Sequence, residues 1–155
     1  MIEDVVTKPL KQMADERGWL TEVLRSDWSE FKQFGQVYVT AGYPQVVKAW
    51  HMHLKQTDNM TCVKGMMKLV LYDDREKSKT KGEVNEFIIG ERNQLLVQIP
   101  PRVWHGFKTI SEDYALLLNV PTEVYDYKEP DEHRMPANTN KIPYDWKLAS
   151  WLKHG

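Results

Sequence analysis

The sequence predicts an all-β protein, a barrel or sandwich of many short strands. Three observations carry that expectation. Short runs rich in Val, Ile, Leu, Tyr and Thr recur along the chain, clusters of Gly, Pro, Asp and Asn punctuate them, and helical periodicity is scarce. Taken in order, Asp15-Glu16-Arg17-Gly18 reads as a turn leading into a strand over Trp19–Arg25. Gly35–Thr40 is the next strand, stopped by Gly42-Tyr43-Pro44, and Val46–Leu54 the one after. Met60–Val63 closes at Lys64-Gly65, and Met66–Tyr72 closes at Asp73–Glu76, with Lys77–Gly82 a solvated loop. Glu83–Ile89 and Leu95–Ile99 are split by the turn Gly90–Asn93. Pro100-Pro101 ends the second of these, because proline has no N–H to give a ladder. Trp104–Ile110 and Tyr114–Val120 complete the series. Helix is expected in two places only: a short turn over Ser26–Phe34, and a C-terminal helix over Trp146–Leu152 in which Leu148, Trp151 and Leu152 share a face that packs on the barrel.

With 155 residues the chain is expected to form one domain over 1–155, long enough to bury a proper core. Its formal net charge of −1 gives neither a nucleic-acid footprint nor an electrostatic membrane anchor. No apolar run approaches the roughly 20 residues that span a bilayer. The opening Met-Ile-Glu-Asp-Val-Val lacks the basic flank and apolar stretch of a secretory signal. Cys62, the single cysteine, has no internal disulfide partner, reads as a small buried hydrophobe, and fits a reducing compartment, so a cytoplasmic location is expected.

The chemistry concentrates around histidines. In Ala49-Trp50-His51-Met52-His53, alternation along a strand sends His51 and His53 to the same side. Asp58 follows across a bend, and His105 comes after the Pro100-Pro101 turn. Two imidazoles from one strand, a carboxylate nearby and an imidazole from a distant strand can converge inside a small barrel. Such a set serves either of two purposes. His51, His53, Asp58 and His105 can hold a divalent transition metal. Alternatively His51, His53 and His105 form an acid–base pocket, since imidazole titrates near neutral pH. Trp50 and Trp104 sit one residue from their histidines, so alternation turns them to core packing on the opposite face. Glu129-Pro130-Asp131-Glu132 reads as a solvated acidic loop. Neither a glycine-rich phosphate loop nor a cysteine pair is present.

The spacing His51-x-His53-x4-Asp58-x6-Gly65 resembles the first cupin motif, with Asp58 where a Glu usually stands. Pro100-x-Arg102-x2-His105 resembles the second, with Arg102 where a Gly usually stands. A closer likeness runs from Asp15 to Trp146. Asp15-x-Arg17-Gly18-x-Leu20-x-Glu22, Val47-Lys48-Ala49-Trp50-His51, Ile99–Phe107 with its Pro100…His105-Gly106-Phe107 element, and Thr122-x2-Tyr125 fall in the order seen in dTDP-4-dehydrorhamnose 3,5-epimerases, a branch of the cupins. That resemblance implies a double-stranded β-helix, or jelly-roll barrel, a homodimer, no cofactor, no metal, and a nucleotide-sugar substrate. It implies that His51 removes a proton next to the C4 ketone, with His53 and His105 shaping or sharing the proton path. It further implies that Arg17, Glu22, Lys48, Asn119 and Tyr125 bind substrate, Lys48 standing where the family has an arginine. Three positions depart from the family. Its catalytic tyrosine aligns with Asn119, its lysine falls near Asp58, and its base-stacking phenylalanine falls on Leu20. Tyr72, Tyr114 and Tyr125 are the candidate replacement acids. The His51-x-His53 pair also resembles sugar-nucleotide 3,4-ketoisomerases, a cupin branch that needs no tyrosine at Asn119. A metal-dependent cupin enzyme and a non-catalytic sugar-binding cupin are the remaining readings.

Overall fold

The computed structural model describes residues 1–147. Ten strands form two five-stranded antiparallel sheets. The first is built from β1 (Val6–Pro9), β4 (Tyr38–Gly42), β6 (Asp58–Lys64), β9 (Leu95–Ile99) and β11 (Ala115–Asn119), in the order β1-β9-β6-β11-β4. The second is built from β5 (Val47–Met52), β7 (Met66–Asp73), β8 (Val84–Gly90), β10 (Val103–Thr109) and β12 (His133–Arg134), in the order β12-β5-β10-β7-β8. A separate hairpin joins β2 (Gln12–Asp15) to β3 (Gly18–Thr21) through the expected turn at Glu16-Arg17. This is the jelly-roll architecture that the strand pattern and the cupin motifs imply.

Met60, Cys62, Val97 and Leu117 from the first sheet meet Met67, Leu69, Leu71 and Ile89 from the second in a closed apolar core. Burying these side chains is the main favourable contribution to folding, at about 25 cal/mol per Å² of apolar surface. A second core lies on the outer face of the β5-β10-β7 sheet. There Trp50 packs on Trp146 with ring centroids 5.0 Å apart and meets Tyr144 edge-on at 5.9 Å. Val47, Val70 and Ile142 fill the space around them, and Trp104 packs against the same cluster. The tryptophans thus turn away from their neighbouring histidines, as alternation predicts.

The expected strands between residues 46 and 120 are present, with ends moved by at most a few residues. Other expectations change. The segment Ser26–Phe34 forms successive reverse turns, closed by Trp28 N–H to Arg25 C=O at 3.2 Å and Phe31 N–H to Trp28 C=O at 3.0 Å. Its Ser and Asp residues favour turns over helix, because their side chains compete for backbone groups. The strand expected over Trp19–Arg25 stops at Thr21. Strands β1, β2 and β12 carry too little apolar alternation to announce themselves, and β12 is only two residues long. The C-terminal helix falls almost wholly outside the described residues; Trp146 and Lys147, which are described, are not helical.

The polar loop after β7 is tied down rather than merely solvated. Asp73 is fully buried and accepts from Arg75 Nε at 2.9 Å, Ser78 Oγ at 2.6 Å and Thr80 Oγ1 at 2.7 Å. Burial alone pushes this carboxyl up, but the hydrogen bonds from Arg75, Ser78 and Thr80 outweigh it and hold the group well below the usual carboxylate range. A depressed carboxyl stabilises the fold above its unfolded-state value and loses that contribution as pH falls. Asp73→Asn is therefore expected to cost about 3 kcal/mol in urea unfolding at neutral pH. It should also flatten the loss of stability that the parent chain undergoes below about pH 4.

At the head of β10 the exposed Arg102 has a left-handed backbone, φ 68°, while its N–H bonds His53 C=O at 2.7 Å. This is the position that the second cupin motif gives to glycine. A Cβ makes this conformation costly, and glycine relieves it. Arg102→Gly should raise the urea midpoint by an amount equivalent to about 0.5–1 kcal/mol.

Candidate active site

Strand β5 does not alternate strictly. His51 pairs with His105 on β10, but the next pair is Ala49 with Gly106, so Trp50 is an extra residue opposite no partner. Such a bulge bends a strand and re-aims the side chains beside it. Trp50 joins the outer core together with Val47 and Ala49, whereas Lys48 and His51, three residues apart, both face inward. The backbone of Trp50 is not left unpaired. It exchanges two hydrogen bonds with Met135, of 2.8 and 3.1 Å. Gly106 permits the close approach on the other side: a Cβ there would stand 2.3 Å from Cβ of Ala49 and 2.9 Å from Lys48 C=O. This gives a steric reason for the glycine in the His-Gly-Phe element.

Between the two sheets, at the end where His51, His53 and His105 point inward, lies a cavity of about 800 Å³. Tyr38, Lys48 and Tyr125 also line it. The volume suits a ligand larger than a single sugar ring. The segment 123–132 covers one side of the mouth, and Asp131 anchors it by accepting the backbone N–H groups of Leu54 and Lys55, both at 2.8 Å. Glu132 comes next and reaches His51.

The three histidines occupy different electrostatic settings. His51 Nδ1 lies 2.9 Å from Glu132 Oε1, and Glu132 also accepts from Arg134 Nη2 at 2.9 Å. Burial pushes the His51 imidazole below its ordinary value, and the Glu132 contact only partly restores it. At neutral pH the ring is therefore neutral, with Nδ1–H donating to Glu132 and Nε2 left as a free base. Glu132 itself is pushed up by burial, but the hydrogen bonds from Arg134 and His51 prevail and keep it ionised.

His105 is enclosed, and burial holds it neutral, well below the ordinary histidine value. Its Nδ1 faces Val103 C=O at 3.1 Å, and His53 Nδ1 hydrogen-bonds Asp131 C=O. Their Nε2 atoms converge on Asp58 Oδ2, at 3.5 Å from His105 and 3.6 Å from His53. The donor atoms of His53, Asp58 and His105 all lie within 4.8 Å of one another, so these three residues could hold a divalent ion through two nitrogens and one oxygen. His51, expected as a fourth ligand, is not in that cluster.

Asp58 is buried, and its other oxygen accepts from Gln56 Nε2 and Asn119 Nδ2, both at 2.7 Å. Asn119 has no accessible surface. Its Oδ1 accepts from Asn59 N–H at 3.0 Å, and its Nδ2 also donates to Tyr38 Oη at 2.9 Å. The substrate contact expected of Asn119 therefore meets an amide whose groups are already engaged. Lys48 does line the cavity, its Nζ donating to Ala41 C=O at 2.7 Å and Thr40 Oγ1 at 3.0 Å. Tyr125 stands at the mouth with its ring edge-on to Tyr127 at 5.0 Å. Arg17 and Glu22 lie away from the cavity: Arg17 pairs with Asp15 at the exposed hairpin tip, and Glu22 pairs with Arg25 at 2.6 Å. Of the three candidate replacement acids, only Tyr125 reaches the cavity. Tyr72 belongs to the outer core, and Tyr114 lies under the Lys64 ammonium.

Three residues of the site escaped the sequence reading. Glu132 and its neighbour Asp131 lie in the stretch read as a solvated acidic loop, and nothing in its composition says that it folds back onto β5. Tyr38 looked like one alternating residue of an ordinary strand. Its partnership with Asn119 depends on strand register, which no local pattern reports.

Comparison with known proteins agrees with this geometry. The family model of dTDP-4-dehydrorhamnose 3,5-epimerase matches residues 1–153. The chain is 49% identical over 147 residues to the probable low-salt glycan biosynthesis epimerase Agl13 of Haloferax volcanii, covering 94% of each chain. It is 38% identical over 146 residues to the spore coat polysaccharide biosynthesis protein SpsL of Bacillus subtilis, covering 94% of this chain and 97% of that one. The crystal structure of a dTDP sugar isomerase from Desulfovibrio desulfuricans G20 superposes with a TM-score of 0.90 at 34% identity, over 96% of this chain and 94% of that one. A jelly roll with paired histidines in its mouth, matched by that family model almost end to end, belongs to the dTDP-4-dehydrorhamnose 3,5-epimerase family of cupins.

Proposed function

We propose that this chain is a nucleotide-sugar epimerase of glycan biosynthesis, and that His51 is its base. The substrate class is a nucleoside-diphosphate 4-keto-6-deoxyhexose. The carrying observation is the setting of His51: Glu132 holds Nδ1 at 2.9 Å, which leaves Nε2 as a neutral acceptor facing the cavity. A C–H next to a ketone is acidic because the enolate spreads charge onto oxygen, so the chemistry needs a positioned base and a partner for the developing oxyanion. His51 supplies the first. Lys48, held in the cavity wall by Thr40 and Ala41, supplies positive charge for the anionic parts of the substrate. His53, Asp58 and His105 form the rigid inner wall, and burial keeps His105 out of proton traffic. The relatives' roles in glycan and spore-coat polysaccharide synthesis support a product destined for a polymer.

The test is incubation with a dTDP-4-keto-6-deoxyhexose in D2O. Deuterium should enter at a carbon beside the ketone, and His51→Asn should slow that entry by at least about 10²-fold. Absence of exchange in the parent protein sinks the reading. Neutral imidazole is the active form, so kcat/KM should fall on the acid side, through an inflection below the ordinary histidine value of about 6.5. Glu132→Gln removes an interaction that raises the imidazole's affinity for a proton, and should move that inflection further down.

The protein works as a homodimer in this reading. The β2–β3 hairpin exposes Met13 (43%), Trp19 (52%) and Leu20 (57%), and an uncovered two-stranded hairpin is marginal in water. Beside the β4 edge, Phe31, Phe34 and Val37 line an apolar groove of about 340 Å³. A second copy covers these surfaces. Arg17 and Glu22 can keep their substrate-binding roles only if that copy's cavity receives them. Light scattering should return twice the mass of one chain, and the double variant Trp19→Glu, Leu20→Lys should shift it to a single chain. Among the described residues no helix is long and apolar enough to cross a membrane, and the single buried Cys62 fits a cytoplasmic setting.

A further inference from the structure

Epimerisation needs two proton carriers on opposite faces of the sugar, and the position where the family resemblance expects a tyrosine holds Asn119. An amide cannot return a proton to carbon. The structure places a different phenol beside it. Tyr38 on β4 is the register partner of Asn119 on β11, and Tyr38 Oη lies 2.9 Å from Asn119 Nδ2.

The direction of that hydrogen bond matters. Asn119 Oδ1 is fixed as an acceptor by Asn59 N–H at 3.0 Å, so Nδ2 is the donor toward both Asp58 and Tyr38. Tyr38 Oη therefore accepts, and its own proton is left for the cavity that its ring lines. The opposition is set by the two sheets. His51 projects from β5 in one sheet, and Tyr38 from β4 in the other, so a ring held between the sheets shows one face to each.

We propose that Tyr38 is the catalytic proton donor that completes epimerisation, delivering to the face opposite His51. The assignment rests on the reading of His51 as base. His51 Nε2 takes the proton from the carbon beside the ketone, and the C–H electron pair becomes the enolate. Tyr38 Oη–H then breaks as a new C–H bond forms on the other face, and the enolate collapses back to the ketone. The imidazolium releases its proton to water, and the phenolate takes one back. Both groups reach solvent for this exchange, His51 with 29% of its side chain exposed and Tyr38 with 40% of its surface. Burial, together with the nearby Asp58 carboxylate, pushes Tyr38 up to about 12, which keeps it a protonated donor at neutral pH and unfit as a resident base.

The experiment separates exchange from inversion. With a dTDP-4-keto-6-deoxyhexose in D2O, Tyr38→Phe should keep His51-dependent deuterium entry with retained configuration, within a few-fold of the parent. Formation of inverted product should fall by about 10²-fold or more. Persistent exchange shows that the variant is folded. Inversion at the parental rate, or an equal fall of exchange and inversion, overturns the assignment, as does the same split appearing in Tyr125→Phe instead. Tyr38→3-fluorotyrosine preserves the ring's shape and makes its hydroxyl more acidic. It should move the alkaline limb of inversion to lower pH and leave that of exchange in place; an unmoved limb also overturns the assignment. If the parent protein exchanges no deuterium, the His51 reading fails and this one with it. If the parent exchanges and inverts but Tyr38→Phe does so equally well, Tyr38 alone fails.

Discussion

Strand β5 carries one residue more than β10 between Ala49 and His51, and that residue, Trp50, has no partner across the ladder. The register shift turns Trp50 outward onto Tyr144 and Trp146, and lets Lys48 and His51 face inward together. Without it, strict alternation would set Lys48 and His51 on opposite faces. Gly106 allows β10 to lie close enough for His105 to pair with His51. The outer aromatic cluster, the inner histidines and the cavity between the sheets are thus consequences of one irregular pair of strands.

Three imidazoles in one hollow do different things because their surroundings differ. His105 is enclosed, and burial keeps it neutral against the pull of the Asp58 carboxylate that its second nitrogen faces. His53 is held by Asp131 C=O on one side and Asp58 on the other. His51 has a carboxylate behind it, open cavity before it, and partial solvent access. Greater water access and an Nε2 open to the cavity distinguish His51, the ring proposed to cycle a proton, from the two that line the wall. The same logic makes the acidic segment 131–132 part of the site. Asp131 satisfies backbone amides of the 54–56 turn, and Glu132 holds Nδ1 of His51.

The buried polar chain from Gln56 through Asp58 and Asn119 to Tyr38 runs across β6, β11 and β4 of the first sheet, beside the cavity. Each buried oxygen and nitrogen named in it has a partner, which is what makes such a network affordable inside a protein. Asn119 stands on β11 where the family resemblance expects a tyrosine, and its register partner on β4 is Tyr38, whose ring lines the cavity.

Much was legible from the amino-acid sequence alone. Runs of β-branched and aromatic residues between turn formers determined the all-β class, and the two-residue period put His51 and His53 on one side and Trp104 in the outer core. The Pro100…His105-Gly106-Phe107 element determined the family, because a glycine facing Ala49 and a histidine after a proline turn are local demands of one backbone path. Tertiary structure alone decided the rest. That Glu132 rather than a solvated loop backs His51, that Asn119 is buried, that Arg17 lies away from its own chain's cavity and that Tyr38 enters it all follow from which strands become neighbours and in what register. Those pairings are settled by the summed burial and hydrogen bonding of segments far apart in the chain, and no local pattern of residues records them.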